Sequence, residues 1–214
     1  HNCLVGSEMC IRDRKNKGHT THKAKMEKLK KNVDASISAA TIDKGVGILL
    51  TGNGKGKSSS AFGMVMRALG YGYKVAVIQF LKGAQSSGEE KFIQDNFPEV
   101  LFHQMKTGYT WDTQDRDKDK AAAISSWKVA KKALADESLH LVVLDELTYM
   151  LSFKYLDESE VIQALNNRPK NQSVVITGRG GGKKLKNWAD TVSEVRDIKH
   201  AFNSQIMARK GVDY

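Results

Sequence analysis

A glycine-rich segment carries the clearest chemical signal in this sequence. Residues 51–60 read TGNGKGKSSS and directly follow an apolar run. A strand that enters such a turn, followed by Lys-Ser and a helix, is the context of a phosphate-binding loop. Glycines let backbone N–H groups converge on phosphate oxygens, and a helix N-terminus adds the positive end of its dipole. We expect Lys57 to lie against the β- and γ-phosphates of ATP and the Ser58 hydroxyl to bind Mg²⁺.

The spacing of this loop departs from the usual pattern. Gly52 and Gly56 are separated by three residues, one fewer than the four of G-x-x-x-x-G-K-[ST]. Lys55 adds a second cation, which indicates that the phosphates are held differently from those in a common ATPase. The alternative is a glycine turn that binds nothing. The predicted ATP-binding residues of the loop are Gly52, Asn53, Gly54, Lys55, Gly56, Lys57, Ser58 and Ser59.

Two adjacent carboxylates form the second part of the predicted site. Asp145 and Glu146 follow the apolar run 141–144, as in a Walker B strand. Ligands bind beyond the carboxyl ends of such strands, so one carboxylate would reach Mg²⁺ and the other would polarise water or complete the metal shell. The alternative is a strand that merely ends in acids. We predict Lys57 and Glu146 as catalytic residues, and Ser58, Asp145 and Glu146 as metal ligands.

Further candidates lie in two loops and one helix. Tyr109 and Trp111 stand in an otherwise polar loop, where they either anchor the loop to the core or contact a flat ligand. Arg179 lies in a Gly-Arg-Gly turn and would contact phosphate or ribose, unless the turn is flexible and the arginine solvated. Arg67 is assigned to the ribose side of the ATP site or to a structural role. A triphosphate site leaves the reaction open, because a nucleophile can attack either the γ-phosphorus or C5′ of the ribose.

The elements that position these residues alternate between strands and helices, which predicts a doubly wound α/β sheet. Several strands are nearly continuous apolar runs, as expected for burial on both faces of a parallel sheet. The predicted strands are 46–51, 74–80, 100–105, 141–145, 173–177 and 191–198. The predicted helices are 57–69, 88–96, 117–136, 157–166 and 183–189.

The net positive charge is concentrated in the N-terminal part of the chain. The whole sequence carries a net charge of +10, and residues 1–44 hold half of it, with 10 basic and 5 acidic residues. We predict a disordered or non-native tail at 1–21, a helical arm at 22–44 with an apolar stripe, and a single domain at 45–214. A basic chain raises the alternative of a nucleic-acid-binding protein, but no nucleic-acid module is recognisable. No apolar run spans a membrane, and both cysteines lie in the first ten residues, which favours the cytoplasm.

The sequence resembles a known family, the ATP:corrinoid adenosyltransferases of the cobalamin-salvage type (cob(I)yrinic acid a,c-diamide adenosyltransferases). The resemblance covers the chain from about residue 32 to its end. It rests on eight segments in order: TGNGKGKS (51–58), QFLKG (79–83), GYTWDTQ (108–114), VVLDELTY (142–149), VITGRG (175–180), ADTVSE (189–194), KHAF (199–202) and GVDY (211–214).

The resemblance implies a RecA-like P-loop fold with a mostly parallel sheet, an N-terminal arm that covers an active site, and a homodimer. It implies transfer of the 5′-deoxyadenosyl group of ATP to the Co(I) centre of cobalamin or cobinamide, with release of tripolyphosphate. Mg²⁺, or Mn²⁺ in its place, would be the cofactor, and a flavodoxin-like or other reductase would supply electrons. Tyr109, where the family leads us to expect Phe, and Trp111 would close the lower face of the corrinoid. A RecA-like ATPase or nucleotide kinase is the alternative function.

Overall fold

The structure is a computed structural model that describes residues 5–81, 86–105 and 115–213. It divides the chain into two units between Asp43 and Lys44. The first unit consists mainly of helix α1, Val5–Ala39. The second unit contains the sheet and the candidate site. Among the described residues, no helix is long and apolar enough to cross a membrane.

Helix α1 corrects one expectation. We predicted a tail without regular structure at 1–21 and a helix from residue 22, but the helix begins at Val5. Residues 5–21 contain no proline, and six of them are lysine, arginine, methionine or glutamate, which favour helix without any apolar period. The apolar stripe that predicted the arm is present and exposed; its members are Met26, Leu29, Val33 and Ile37.

Six parallel strands form the sheet, in the order β3-β2-β4-β5-β1-β6. Their bounds are β1 Gly47–Thr51, β2 Val75–Gln79, β3 Leu101–Gln104, β4 Leu141–Asp145, β5 Ser173–Thr177 and β6 Thr191–Glu194. One strand, β5, lies between the phosphate-loop strand β1 and the acidic strand β4. The predicted RecA-like α/β fold is therefore confirmed, with every pairing in the described sheet parallel.

The helices of the second unit agree with the sequence prediction at most positions. Their bounds are α2 Lys57–Gly70, α3 Gly88–Asn96, α4 Arg116–Leu134, α5 Leu147–Ser152, α6 Glu158–Asn166 and α7 Gly182–Trp188, followed by a 3₁₀ turn at Ala201–Ser204. Side-chain caps fix where α3, α4 and α6 begin, since Ser87, Asp115 and Asp157 accept hydrogen bonds from backbone N–H groups three residues on. Helix α5 was not predicted, because its six residues are too short to show a period.

Two apolar clusters cover the two faces of the sheet. Val77, Val143 and Val175 point to the face that packs against α2 and α3. Their strand neighbours, such as Ile78 and Leu144, point to the opposite face with α4 and α6. This arrangement explains why the strands are continuously apolar. It also leaves the carboxyl ends of β1, β4 and β5 side by side, so that Thr51, Asp145 and Thr177 meet at one edge.

Candidate nucleotide and metal site

The phosphate loop connects β1 to α2, and Lys57 is the first residue of that helix. Gly56 precedes it with a φ of 121°, a conformation that favours glycine. Lys57 is only 8% exposed, and its Nζ donates a hydrogen bond of 2.8 Å to the Gly54 carbonyl. The loop therefore holds a buried cation at the carboxyl edge of the sheet.

The C-terminal part of the chain packs directly against this loop. Gly54 donates its backbone N–H to the Val195 carbonyl at 2.8 Å. A Cβ at Gly54 would lie 2.5 Å from the Arg196 carbonyl oxygen, and one at Gly52 would lie 2.3 Å from the Val195 oxygen. The sequence predicts these glycines as phosphate ligands. For Gly54 the structure gives a second reason why the residue is glycine, since the segment after β6 approaches too closely for a side chain.

We expect the substitution Gly54→Ala to lower the free energy of unfolding by about 1–3 kcal/mol, because backbone must move to accommodate the methyl group. Gly63→Ala is the matched control. Gly63 lies on α2 with nothing within 4 Å of a new Cβ, so alanine should raise stability by up to about 1 kcal/mol. Urea denaturation without nucleotide measures both, and equal stabilities for the two variants would contradict the packing argument.

The acidic pair occupies the end of β4 and the turn that follows. Asp145 is 3% exposed; its Oδ1 accepts from the Thr177 hydroxyl at 2.6 Å and its Oδ2 from Gln79 Nε2 at 2.9 Å. Glu146 has a left-handed backbone, φ 59°, and directly precedes α5 without a capping hydrogen bond from its side chain. Its Oε2 is buried and has no hydrogen-bond partner among the described residues. A buried carboxylate oxygen without a partner is the donor that a hard cation requires.

Burial dominates the electrostatics of the site. It raises the pKa of Glu146 to about 7, and the negative charge of Asp145 acts in the same direction, against the cations Lys57 and Arg179. Burial also lowers the pKa of Lys57 below its usual value, an effect that Glu146 opposes. Both shifts show that the two side chains lie in a poorly hydrated space and influence each other.

The Gly-Arg-Gly turn after β5 is fastened by two hydroxyl groups. Thr148 donates to the Arg179 carbonyl at 2.9 Å, and Thr51 donates to the Gly180 carbonyl at 2.7 Å. Gly178 has a φ of 134°, and a Cβ there would lie 2.0 Å from the Thr148 hydroxyl oxygen. These bonds fix the backbone of the turn, whereas the Arg179 side chain is exposed at the site.

A cavity of about 340 Å³ opens between the loop and the C-terminal segment. It brings together five predicted residues, Asn53, Gly54, Lys55, Lys57 and Arg179. It also contains three that we did not predict, Asp197, His200 and Asn203. Of these three, only His200 lies in a segment that carries the family resemblance, KHAF at 199–202, and the sequence assigns that segment no function. The C-terminal segment also reaches the loop through an ion pair of 2.8 Å between Lys55 and Asp213.

The remaining predicted residues have different placements. Ser58 and Ser59 lie in the first turn of α2. Arg67 lies in the last turn of that helix and is exposed, about 15 Å along the axis from Lys57, so the structure does not bring it to the loop. Tyr109 and Trp111 lie outside the described residues, and their function stays a prediction.

A sequence model of the ATP:corrinoid adenosyltransferases BtuR/CobO/CobP matches residues 43–214, the part of the chain that forms the sheet and the cavity. The chain belongs to the ATP:corrinoid adenosyltransferase family. The resemblance inferred from eight segments is thereby confirmed, and the phosphate loop and acidic pair described above are features of an adenosyltransferase chain.

Curated relatives of this adenosyltransferase chain are similar to it in sequence over about nine tenths of its length. The corrinoid adenosyltransferase of Escherichia coli K12 is 48% identical over 193 residues, 90% of this chain and 97% of the relative. Corrinoid adenosyltransferase CobA of Salmonella typhimurium is 47% identical over 90% of this chain and 97% of its own. The corrinoid adenosyltransferase of Pseudomonas aeruginosa is 50% identical, with 90% and 95% covered.

Proposed function

We propose that this protein transfers the 5′-deoxyadenosyl group of ATP to the Co(I) centre of a corrinoid, cobalamin or cobinamide, and releases tripolyphosphate. The observation that carries the proposal is the family match over residues 43–214, which includes every described residue of the site. In this reaction the cobalt electron pair forms a bond to C5′, the C5′–O bond breaks, and its electrons leave with the triphosphate.

The geometry of the loop suits a triphosphate that leaves. Lys57 is a buried cation at the start of α2, and Arg179 lines the same cavity. Positive groups fixed in a poorly hydrated site stabilise negative charge that develops on a leaving group, and they need no reorganisation at that moment. The loop residues 52–59 would thus bind the leaving group, whereas in a kinase they would bind the group that is attacked.

Magnesium, with Mn²⁺ as an alternative, is proposed as the cofactor. Two oxygens would supply the donors that such cations prefer. One is Glu146 Oε2, which has no partner among the described residues, and the other is the Ser58 hydroxyl, one residue after Lys57. When bound, the cation neutralises charge on the triphosphate oxygens. Asp145 was also predicted as a ligand, and its two oxygens already accept hydrogen bonds from the protein.

The corrinoid side of the site is proposed from the sequence alone. Tyr109 and Trp111 would cover the lower face of the corrinoid, which removes the lower axial ligand and makes Co(II) easier to reduce. A flavodoxin-like or other reductase would supply the electron. We further propose a homodimer in the cytoplasm, with the helical arm at 22–44 over an active site. Support for the cytoplasm comes from the absence of cysteine after Cys10.

We expect Trp111→Ala to lose the ability to support reduction of corrinoid-bound Co(II). Its affinity for Mg-ATP should stay within about threefold of wild type, which is less than the tenfold change that about 1.4 kcal/mol of binding free energy would produce. The control for general effects of losing a tryptophan is Trp188→Phe. Trp188 packs against Gly47, at the opposite end of β1 from the phosphate loop. Absorbance of the Co(II) and Co(I) species measures reduction. An equal loss of ATP affinity in Trp111→Ala would contradict the corrinoid-facing assignment.

The proposed function itself is tested by mixing the protein, Mg-ATP and chemically reduced cobalamin or cobinamide. The expected products are an alkylcobalt species, seen in the visible spectrum, and tripolyphosphate in equal amount. Formation of ADP and phosphate without a spectral change would contradict the proposal and favour the ATPase or kinase alternative. Binding to nucleic acid that weakens steeply with salt would instead support the alternative of a nucleic-acid-binding protein.

A further inference from the structure

Asp145 is held on both of its carboxylate oxygens by side chains from the two neighbouring strands. Gln79 at the end of β2 donates to Oδ2, and Thr177 at the end of β5 donates to Oδ1. The carboxylate is almost completely buried. Hydrogen bonds to both oxygens hold the Asp145 carboxylate in a single orientation. Rotation of the carboxylate would break these bonds, and a buried polar group without its partners costs free energy.

Thr177 connects Asp145 to Glu146. A hydroxyl group has one proton, and here the proton is donated to the Asp145 carboxylate. A lone pair of the same oxygen accepts the backbone N–H of Glu146 at 2.9 Å. Glu146 has the left-handed backbone that non-glycine residues seldom adopt, so an external contact must hold it there. The Thr177 hydroxyl supplies such a contact, to the backbone N–H of Glu146 itself.

The position of the Glu146 side chain depends on this backbone. Its Oε2 lies 3.1 Å from the place that a Cβ on Gly178 would occupy, at the base of the Gly-Arg-Gly turn. The same oxygen is buried and has no partner among the residues that the structure describes. A change in φ at Glu146 would redirect the carboxylate away from this place.

The hydrogen bonds continue beyond Asp145 to helix α3. Gln104 Nε2 donates to the Gln79 oxygen at 2.9 Å and to Glu90 Oε2 at 2.8 Å. The Ser86 hydroxyl donates to the same Glu90 oxygen at 2.7 Å. Because the oxygen of Gln79 accepts from Gln104, its amide can present only N–H groups to Asp145. The orientation of Asp145 is thus fixed by residues from α3 to β5.

We propose that Asp145 and Thr177 are positioning residues rather than metal ligands, and that they act by holding Glu146 in the conformation in which its carboxylate binds the cation of Mg-ATP. This inference rests on the proposed function for the identity of the cation and nucleotide. It divides the acidic pair into one residue that binds and one that orients.

The test compares Thr177→Val with Thr177→Ser. Valine keeps the shape of the side chain and removes the hydroxyl, whereas serine keeps the hydroxyl and removes a methyl group. Mn²⁺ binding at saturating ATP, followed by electron paramagnetic resonance, should weaken about tenfold or more in the valine variant, the loss typical of groups that orient metal ligands. The serine variant should bind Mn²⁺ within about threefold of wild type and give the same bound spectrum.

A double variant separates orientation from ligation. If Asp145 acts through Thr177, Asp145→Asn combined with Thr177→Val should bind Mn²⁺ no more weakly than Thr177→Val alone. A further loss of tenfold in the double variant would make Asp145 a ligand and overturn the proposal. Equal Mn²⁺ affinities in Thr177→Val and Thr177→Ser would overturn it as well.

Two further measurements keep the result interpretable. Should circular dichroism show that Thr177→Val is unfolded, Gln79→Met removes the other support of Asp145 and should weaken Mn²⁺ in the same direction; wild-type affinity in a folded Gln79→Met would then overturn the proposal. None of these measurements needs a corrinoid. Failure of the proposed function would appear only in the product assay of the wild-type protein, so the two failures are distinguishable.

Discussion

Lys57→Met should reduce kcat/KM for Mg-ATP by about a hundredfold or more while the protein remains folded. The loss expected on removing one fixed electrostatic group from a developing negative charge is of this size. Lys57 is the buried cation of the loop, at the start of α2. Methionine preserves the apolar stem of the side chain and removes the ammonium group, with its charge and its hydrogen bond to Gly54.

The stability of the free protein should change far less, because two effects oppose each other. Burial lowers the pKa of Lys57, so its charge is held at a cost that methionine removes. Against this, the Gly54 carbonyl loses the hydrogen bond from the charged Nζ, which is worth about 1.5–3 kcal/mol. Urea denaturation should therefore place Lys57→Met within about 1 kcal/mol of wild type.

Lys55→Met is the matched control, since it removes the same charge from the same loop. The Lys55 side chain is 47% exposed and paired with Asp213. An exposed ion pair contributes little, and we expect less than a tenfold loss of kcat/KM. Formation of the alkylcobalt product, measured over a range of ATP concentrations, compares the two. If both variants lose activity equally, the buried position of Lys57 is not what matters.

Most of the fold could be predicted from local patterns. Strands β4 and β5 and helix α3 have the predicted bounds, because apolar runs and a serine cap mark them. Patterns of this kind fail where an element is short or depends on its neighbours. Helix α5 is one such element, since it begins at Leu147, directly after Glu146, whose left-handed backbone is in contact with Thr177 from another strand.

The candidate site was predicted less completely than the fold. The Lys57 position and the placement of Arg179 follow from motifs, because a phosphate loop and a turn after a parallel strand always meet at one edge. The contacts of Gly54 with Val195 could not be predicted, since more than a hundred residues separate them and no local pattern relates them. For the same reason Asp197 and His200 were missed.

Asp145 and Glu146 illustrate what sequence alone cannot separate. Both are carboxylates at the end of one strand, and both fit the description of a metal ligand. Their difference comes from packing: Asp145 has hydrogen-bond partners on both oxygens, whereas Glu146 Oε2 has none among the described residues. This difference leads to a prediction about pH.

Glu146→Gln should make the free protein more stable than wild type above pH 7, by up to about 3 kcal/mol, and leave it unchanged near pH 4.5. In the folded protein burial raises the pKa of Glu146 from 4.5 to about 7. The folded state therefore binds the proton more tightly than the unfolded state, and wild-type stability falls as pH rises between these two values. Each unit of difference corresponds to about 1.4 kcal/mol. Glutamine is uncharged throughout, so the variant lacks this loss.

Glu194→Gln, at the exposed end of β6, controls for the general effect of removing a carboxylate, and its stability should follow that of wild type at both pH values. Urea denaturation in the absence of nucleotide and cation, at pH 4.5 and pH 8, makes the comparison. A Glu146→Gln variant that gains nothing at pH 8 would show that this carboxylate is hydrated in the free protein.

Cation binding should change in the opposite direction from stability. Wild-type affinity for Mn²⁺ with ATP should rise as pH increases through about 7, because the cation competes with the proton that Glu146 binds. In Glu146→Gln the affinity should be lower, and this rise should disappear. On the proposed assignment, the ionised Glu146 carboxylate would lower the stability of the free protein at the same pH at which it would bind the cation. The same substitution should therefore raise stability and lower affinity, a pair of effects that loss of packing alone would not produce.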